Sequence, residues 1–211
     1  MIPIHDLILF IIAAFILVIS PGPNMIYLIS RTITQGRKAG LTSLAGVICG
    51  FLFHIVMVSF GLTAVLFAVP YAYVVLKILG TVYLLYLAYQ AIKPNSKNIF
   101  EVDQNISIDR PRKLFTVGFL TNVLNPKVAV FYLSFFPQFI KPQYGSIFTQ
   151  SLELGVIQVF VSFSINFIIV LTAAQAARFF AKNPTWIKAQ KWFMASVLGF
   201  LAIKMALSKA K

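Results

Sequence analysis

Apolar residues run along this chain in six long stretches: Leu7–Ile29, Ala39–Val69, Tyr71–Ile92, Leu114–Ile140, Ile147–Ala174 and Ala189–Leu207. Each holds the roughly 20 residues that a helix needs to cross a bilayer. Two of them carry a polar break where a span should be continuous, Ser20-Pro21-Gly22-Pro23-Asn24 in the first and Asn122-Val-Leu-Asn125-Pro126-Lys127 in the fourth. In hydrocarbon every backbone N–H and C=O needs a partner, so a helix that has lost hydrogen bonds to proline persists only where neighbouring helices, side chains or a wet cavity repair it. A broken helix in a bilayer lines something, and the pattern predicts a transporter. The apolar run ahead of the first break, Leu7 to Ile19, is 13 residues long, about 20 Å of helix. The hydrocarbon core is roughly 30 Å thick, so the break lies inside the bilayer. Met1–Asp6 holds no Lys or Arg and no small-x-small cleavage site follows, so the first span is expected to be retained rather than removed as a signal peptide.

Composition supports the membrane reading. Hydrophobic residues make up 59% of the 211, charged residues only 11%, and the mean hydropathy is +0.87, whereas a soluble domain carries about 25% charged residues. Little chain remains outside the stretches. The expectation is therefore a single transmembrane transporter domain over residues 1–211.

A net charge of +13 would suit nucleic acid, but the basic residues are sorted by loop, as the positive-inside rule requires. Arg31, Arg37 and Lys38 follow the first span; Lys93, Lys97, Arg110, Arg112 and Lys113 follow the third; Arg178, Lys182, Lys188 and Lys191 surround the turn after the fifth. The connections after spans two and four carry at most Lys77 and Lys141. Both termini are thus expected outside the cytoplasm, with lipid rather than nucleic acid as the large partner. The tail lysines Lys204, Lys209 and Lys211 argue the other way and bear on whether span six crosses fully.

Aligning the chain with itself adds a second line. A shift of 105 residues pairs Pro21 with Pro126, Tyr27 with Tyr132, Leu28 with Leu133 and Phe10 with Phe115. A shift of 109 places Gly46-Val-Ile on Gly155-Val-Ile and Phe51 on Phe160, and a shift of 119 places Leu79-Gly80 on Leu198-Gly199. The proline and glycine pairs carry the weight. The expected fold is an all-α integral membrane protein of six transmembrane helices with helices 1 and 4 broken, in two repeats (about 1–92 and 114–211) joined by a cytoplasmic loop (about 93–113). Three spans is an odd number, so the second repeat enters from the opposite face, and inverted repeats of this kind carry transporter sites near the midplane.

These residues resemble a known family. The Ser-Pro-Gly-Pro-Asn of span one, the segment Gly118-Phe-Leu-Thr-Asn122-Val-Leu-Asn125-Pro126-Lys127 and the following Phe135-Phe136-Pro137-Gln138-Phe139 are similar to the LysE/RhtB amino-acid exporters. Leu44-Ala-Gly46, Phe53-His54-Ile-Val and Lys77-Ile-Leu-Gly80-Thr-Val-Tyr83-Leu extend the likeness over nearly the whole chain. The resemblance implies efflux of amino acids or close derivatives from the cytoplasm, driven by the proton-motive force, in a bacterial inner membrane. Some relatives carry an acid where span five here has Asn166, which speaks against an acid-based proton relay there.

The breaks suit a zwitterion without the family. Helix restarts at Pro23 and Pro126 present N–H groups and a positive dipole end to a carboxylate, and carbonyls freed by the prolines suit an ammonium. The expected substrate-binding residues are Ser20, Pro21, Gly22, Pro23, Asn24, Asn122, Asn125, Pro126 and Lys127. Lys127 is either a carboxylate ligand or a lysine that snorkels or pairs with carbonyls; the three asparagines either meet substrate or cap the breaks. His54 and Glu153 are the proton-coupling candidates, with a packing histidine and an interfacial acid as the alternatives. Asp6 reads as interfacial. Gln158 and Asn166 face the cavity or join helices, and Gly46-x-x-x-Gly50 allows close packing within the subunit or in a homodimer.

Other chemistries fall away. One cysteine, Cys49, excludes a dithiol shuttle and a Cys-rich metal site, and two distant histidines, His5 and His54, do not make a zinc enzyme. There is no Gly-rich phosphate loop and no room for a nucleotide-binding domain, so no cofactor is expected and transport runs on a gradient. Ser20 with His54 is the only hydrolase pairing available. The main rival is an inorganic ion or small-solute permease on the same architecture, against which the scarcity of intramembrane acids counts.

Overall fold

The computed structural model describes residues 2–20, 22–62, 72–93, 108–182 and 184–207. Pro21, the end of the second apolar stretch, Lys97 with most of the basic loop, Lys209 and Lys211 lie outside the described residues. The described residues are all-helical, without a strand: α1 (Ile4–Ile19), α2 (Pro23–Met57), α3 (Ala72–Ile92), α4 (Pro111–Val123), α5 (Pro126–Val130), α6 (Ile147–Lys182) and α7 (Pro184–Leu207). A π-helical turn, Val58–Leu62, extends α2, and a π-helical turn, Phe131–Phe135, and a 3-10 turn, Phe136–Phe139, extend α5.

By length and composition two helices are apolar enough to cross a membrane, Pro23–Gly61 and Ile147–Ala177, and Pro111–Val123 with Pro126–Phe139, bent by 43°, makes a third if the pair counts as one span. The first of these is not a single rod. Gly36 sits at φ 85°, ψ 171°, a left-handed conformation that glycine adopts freely and other residues resist. A Cβ on Gly40 would run into Thr32 Oγ1, and Ser43 Oγ donates to Tyr27 Oη at 3.3 Å. In a straight helix residues 27 and 43 would lie about 24 Å apart. The chain therefore folds back at Gly36, and residues 23–35 and 37–57 are the two arms of a hairpin whose tip carries Arg31, Arg37 and Lys38.

The second arm of α2 packs on α4 with almost no side chain between them. A Cβ on Gly46 would strike the Phe115 carbonyl, one on Gly118 would strike the Ser43 carbonyl, and one on Gly50 would lie 2.6 Å from Asn122 Cβ. Tyr27 bridges Ser43 to the Leu114 carbonyl near the start of α4, and His54 meets Asn122 near its end, so the two helices run in the same direction from the same end. The Gly46-x-x-x-Gly50 motif is thus used inside the subunit. Gly46→Ala is expected to force the pair apart and to lower stability by about 1–3 kcal/mol, the usual cost of overpacking; thermal melting of the purified protein in detergent reads it.

Each end is tied by ions. Lys141 Nζ lies 2.9 Å from Asp6 Oδ2, and Asp109 takes Arg31 at 2.8 Å and Lys113 at 2.6 Å. The hydrogen bond from Lys113, with Arg31 beside it, holds the Asp109 carboxyl below the usual carboxylate range, and the bond to Asp6 holds the Lys141 ammonium above the lysine range. In one tie Asp6, in the first turn of α1, meets Lys141 just past the second broken helix; in the other Asp109, just ahead of α4, meets Arg31 in the first arm of α2. Between the ties an aromatic cluster fills the interior, with Phe10 of α1 at 5.9, 5.6 and 5.2 Å from the rings of Phe131, Phe136 and Phe139. The outer faces are apolar: Ile8, Ile12 and Phe15 on α1, Ile78 and Val82 on α3, and Val156 and Phe160 on α6 are exposed, more contiguous apolar surface than a soluble monomer carries. Lipid is the solvent that suits it.

Candidate functional site

The first break leaves one helix end facing another. The α1 ladder ends with the Ser20 amide donating to Ile16 at 3.1 Å, Gly22 is fully extended, and α2 restarts at Pro23 without a side-chain cap. Proline has no N–H, so residue 21 cannot serve the carbonyl four residues earlier, that of Leu17. The Lys127 ammonium serves it instead: Nζ donates to Leu17 O at 3.0 Å and to Ser20 O at 2.6 Å. Gly22 makes room for this, because a Cβ there would come within 2.9 Å of Nζ and 3.0 Å of Cε.

The second break repeats the logic with a different base. Pro126 cannot serve the carbonyl four residues earlier, that of Asn122, and His54 Nε2 donates to that oxygen at 3.3 Å alongside the Asn125 amide at 3.0 Å. The imidazole lies flat on Tyr132, with ring centroids 5.2 Å apart and planes within 8°. Asn125 Oδ1 accepts from the Lys127 amide at 3.0 Å, an ordinary N-cap. The carbonyls of Leu17 and Asn122 are therefore each met by a nitrogen base from the other half of the chain.

Beside the first break lies a cavity lined by Leu17, Val18, Asn24, Met25, Phe51, Lys127, Val128 and Asn166. It has room for little more than one water molecule. Lys127 is 6% exposed and forms no ion pair among the described residues. Asn24 Oδ1, both side-chain polar atoms of Asn122, Asn125 Nδ2 and Gln158 Oε1 are buried without a hydrogen-bond partner, unusual company in a protein interior. On α6, Gln158 Nε2 donates to Ser162 Oγ at 3.0 Å and Asn166 Nδ2 to Ser162 O at 2.8 Å, a polar stripe on one helix face.

The structure thus brings Ser20, Gly22, Asn24 and Lys127 together, adds Asn166 from α6, and sets Asn122, Asn125 and Pro126 behind them as the scaffold that aims Lys127. His54 sits at the second break and Glu153 is half-buried near the start of α6. The pairing of Ser20 with His54 is not made, since His54 Nε2 is on Asn122 and Ser20 Oγ has no partner. The Leu17 carbonyl and the apolar wall of Val18, Met25, Phe51 and Val128 went unnamed in the sequence, although the four-residue offset from Pro21 to Leu17 was there to be read.

A small polar site between broken apolar helices has the layout of a membrane transporter. The family model of the LysE type translocators matches residues 15–209, and the chain belongs to that family. It is similar to the uncharacterized membrane protein YrhP of Bacillus subtilis (strain 168), 28% identical over 213 residues that cover 97% of this chain and 100% of that protein. It is also similar to the homoserine/homoserine lactone efflux proteins of Salmonella typhimurium (strain LT2), 28% identical over 206 residues, and of Salmonella typhi, 29% identical over 206 residues, with 96% of this chain and 95% of each relative covered. No solved structure matches the chain.

Proposed function

We propose that the protein is a proton-coupled secondary exporter of amino acids or close derivatives, homoserine-like compounds first among them, across the bacterial cytoplasmic membrane. The observation that carries this reading is the first break, where the carbonyl end of α1 and the uncapped amino end of α2 face one small site. An amino acid's ammonium fits the first and its carboxylate the second. The family and the two efflux relatives support it. The rival ion permease fits less well, because the described lining holds a cation and no acid. Counterflow in liposomes against a panel of amino acids, with amino-acid amides beside them, is the test. Exchange of neutral amino acids but not of their amides is expected; ion flux without any amino-acid exchange would overturn the reading.

The proposed architecture is six spans in two inverted repeats, residues about 1–92 and 114–211, with residues 93–113 in the cytoplasm and both ends outside. The hairpin at Gly36, the shared starting end of the second α2 arm and α4, and the crossed ion ties at the two ends support it. A C-terminal reporter active only in the cytoplasm is expected to stay dark. A bright reporter would leave an odd number of crossings or the opposite orientation. The proton carrier is sought among His54, Glu153 and Lys127.

A further inference from the structure

The carbonyl pair that suits a substrate's ammonium already holds one. Lys127 reaches it from the other half of the chain, past a glycine, with no carboxylate among the described residues to balance it. A substrate ammonium cannot settle on the same two oxygens while Lys127 is charged and seated, since two unit charges about 4 Å apart at an effective dielectric near 20 disfavour the doubly charged state by roughly a thousandfold. We propose that Lys127 is a tethered stand-in for the substrate's ammonium: its Nζ occupies the carbonyls of Leu17 and Ser20 when the carrier is empty, and yields them, together with its proton, when an amino acid binds. This rests on the exporter reading above and adds the group that couples it.

The proton balance is simple. From the cytoplasm an amino acid enters as a zwitterion, its ammonium takes the two carbonyls and its carboxylate the first turn of α2; the Lys127 ammonium leaves the seat, passes one proton to cytoplasmic water and remains as the neutral amine. On the outer side the substrate departs, one proton from outer water returns to Nζ, and the ammonium reseats. One proton enters for each amino acid exported. No bond other than N–H is made or broken.

The other titratable groups on the elements around the cavity are otherwise engaged or unpaired with Lys127. His54 of α2 donates to Asn122 and stacks on Tyr132, Asp6 of α1 is tied to Lys141, Arg31 of α2 is tied to Asp109, and Glu153 of α6 forms no ion pair among the described residues. The small size of the cavity follows from the same arrangement, because the lysine side chain fills the space that the substrate needs.

Three substitutions separate this role from a structural cap and from a carboxylate ligand. Lys127→Met leaves the carbonyls open, Lys127→Arg fills them with a group that does not give up its proton, and Gly22→Ala crowds Nζ where the backbone is extended and tolerates any residue. The probe is L-homoserine, or the panel member with the strongest wild-type counterflow, in liposomes and in weakly buffered detergent. Wild type is expected to release about one proton per substrate bound and to accumulate substrate on a pH gradient. Lys127→Met is expected to keep counterflow within about threefold, release no proton and accumulate nothing uphill. Lys127→Arg should lose counterflow at least tenfold, and Gly22→Ala should bind substrate several-fold more tightly at low pH. Uphill accumulation by Lys127→Met with the wild-type pH profile, or loss of its counterflow while it melts like wild type, would overturn the proposal. If Lys127→Met does not fold, Gly22→Ala decides it: unchanged affinity and unchanged pH dependence would refute it. A wild type without counterflow for any amino acid instead refutes the exporter reading.

Discussion

Pro126→Ala is expected to abolish uphill accumulation on a pH gradient while counterflow stays within about threefold of wild type and the amount of protein in the membrane falls less than twofold. Alanine restores an N–H four residues beyond Asn122, so the Asn122 carbonyl gains an in-helix donor and α4 can run on into α5. Two things then move. His54 loses its acceptor, and Lys127, one residue past the break, turns away from Leu17 and Ser20. The proline serves only to set helix direction if yield and transport fall in step.

The second large effect is expected at His54, where two substitutions should diverge. Glutamine keeps a donor for the Asn122 carbonyl; leucine does not and leaves that buried oxygen without its side-chain donor, at a cost of about 0.5–1.5 kcal/mol. His54→Leu should therefore melt a few degrees below wild type, at about 2–4 °C per kcal/mol for a chain of this size, and His54→Gln should stay close to it. With Lys127 as the carrier, His54→Gln keeps uphill accumulation and its pH profile. Loss of accumulation in His54→Gln with downhill exchange intact would move the coupling to the imidazole.

Much of this was legible in the residues because hydrocarbon punishes exceptions. Prolines inside two apolar stretches marked the breaks, and Arg31, Arg37 and Lys38 marked a reversal of the chain. Their exact form was not legible: the helix runs through the basic segment and turns at Gly36 alone, since one glycine at positive φ replaces a loop. Which ends meet was also hidden. Asp6 reads singly as an interfacial acid and Asp109 carries no signal of its own, and only the crossing of the two halves makes them partners of Lys141 and Arg31. Lys127 was visible as an intramembrane charge. What it touches is set by two carbonyls, and backbone acceptors carry no side-chain signal beyond their distance from a proline.

The caps that cross between halves also bear on how the protein is made. The Leu17 carbonyl waits for a donor 110 residues further along, and at roughly 5–20 residues per second of synthesis that donor emerges on the order of 10 s later. Until then the first broken span cannot rest in lipid as a finished helix, and it must stay beside the insertion machinery, water or headgroups. Insertion of this protein is thus a single event closed by its second half, and a chain stopped before Lys127 should be handled by the cell as an unfinished one.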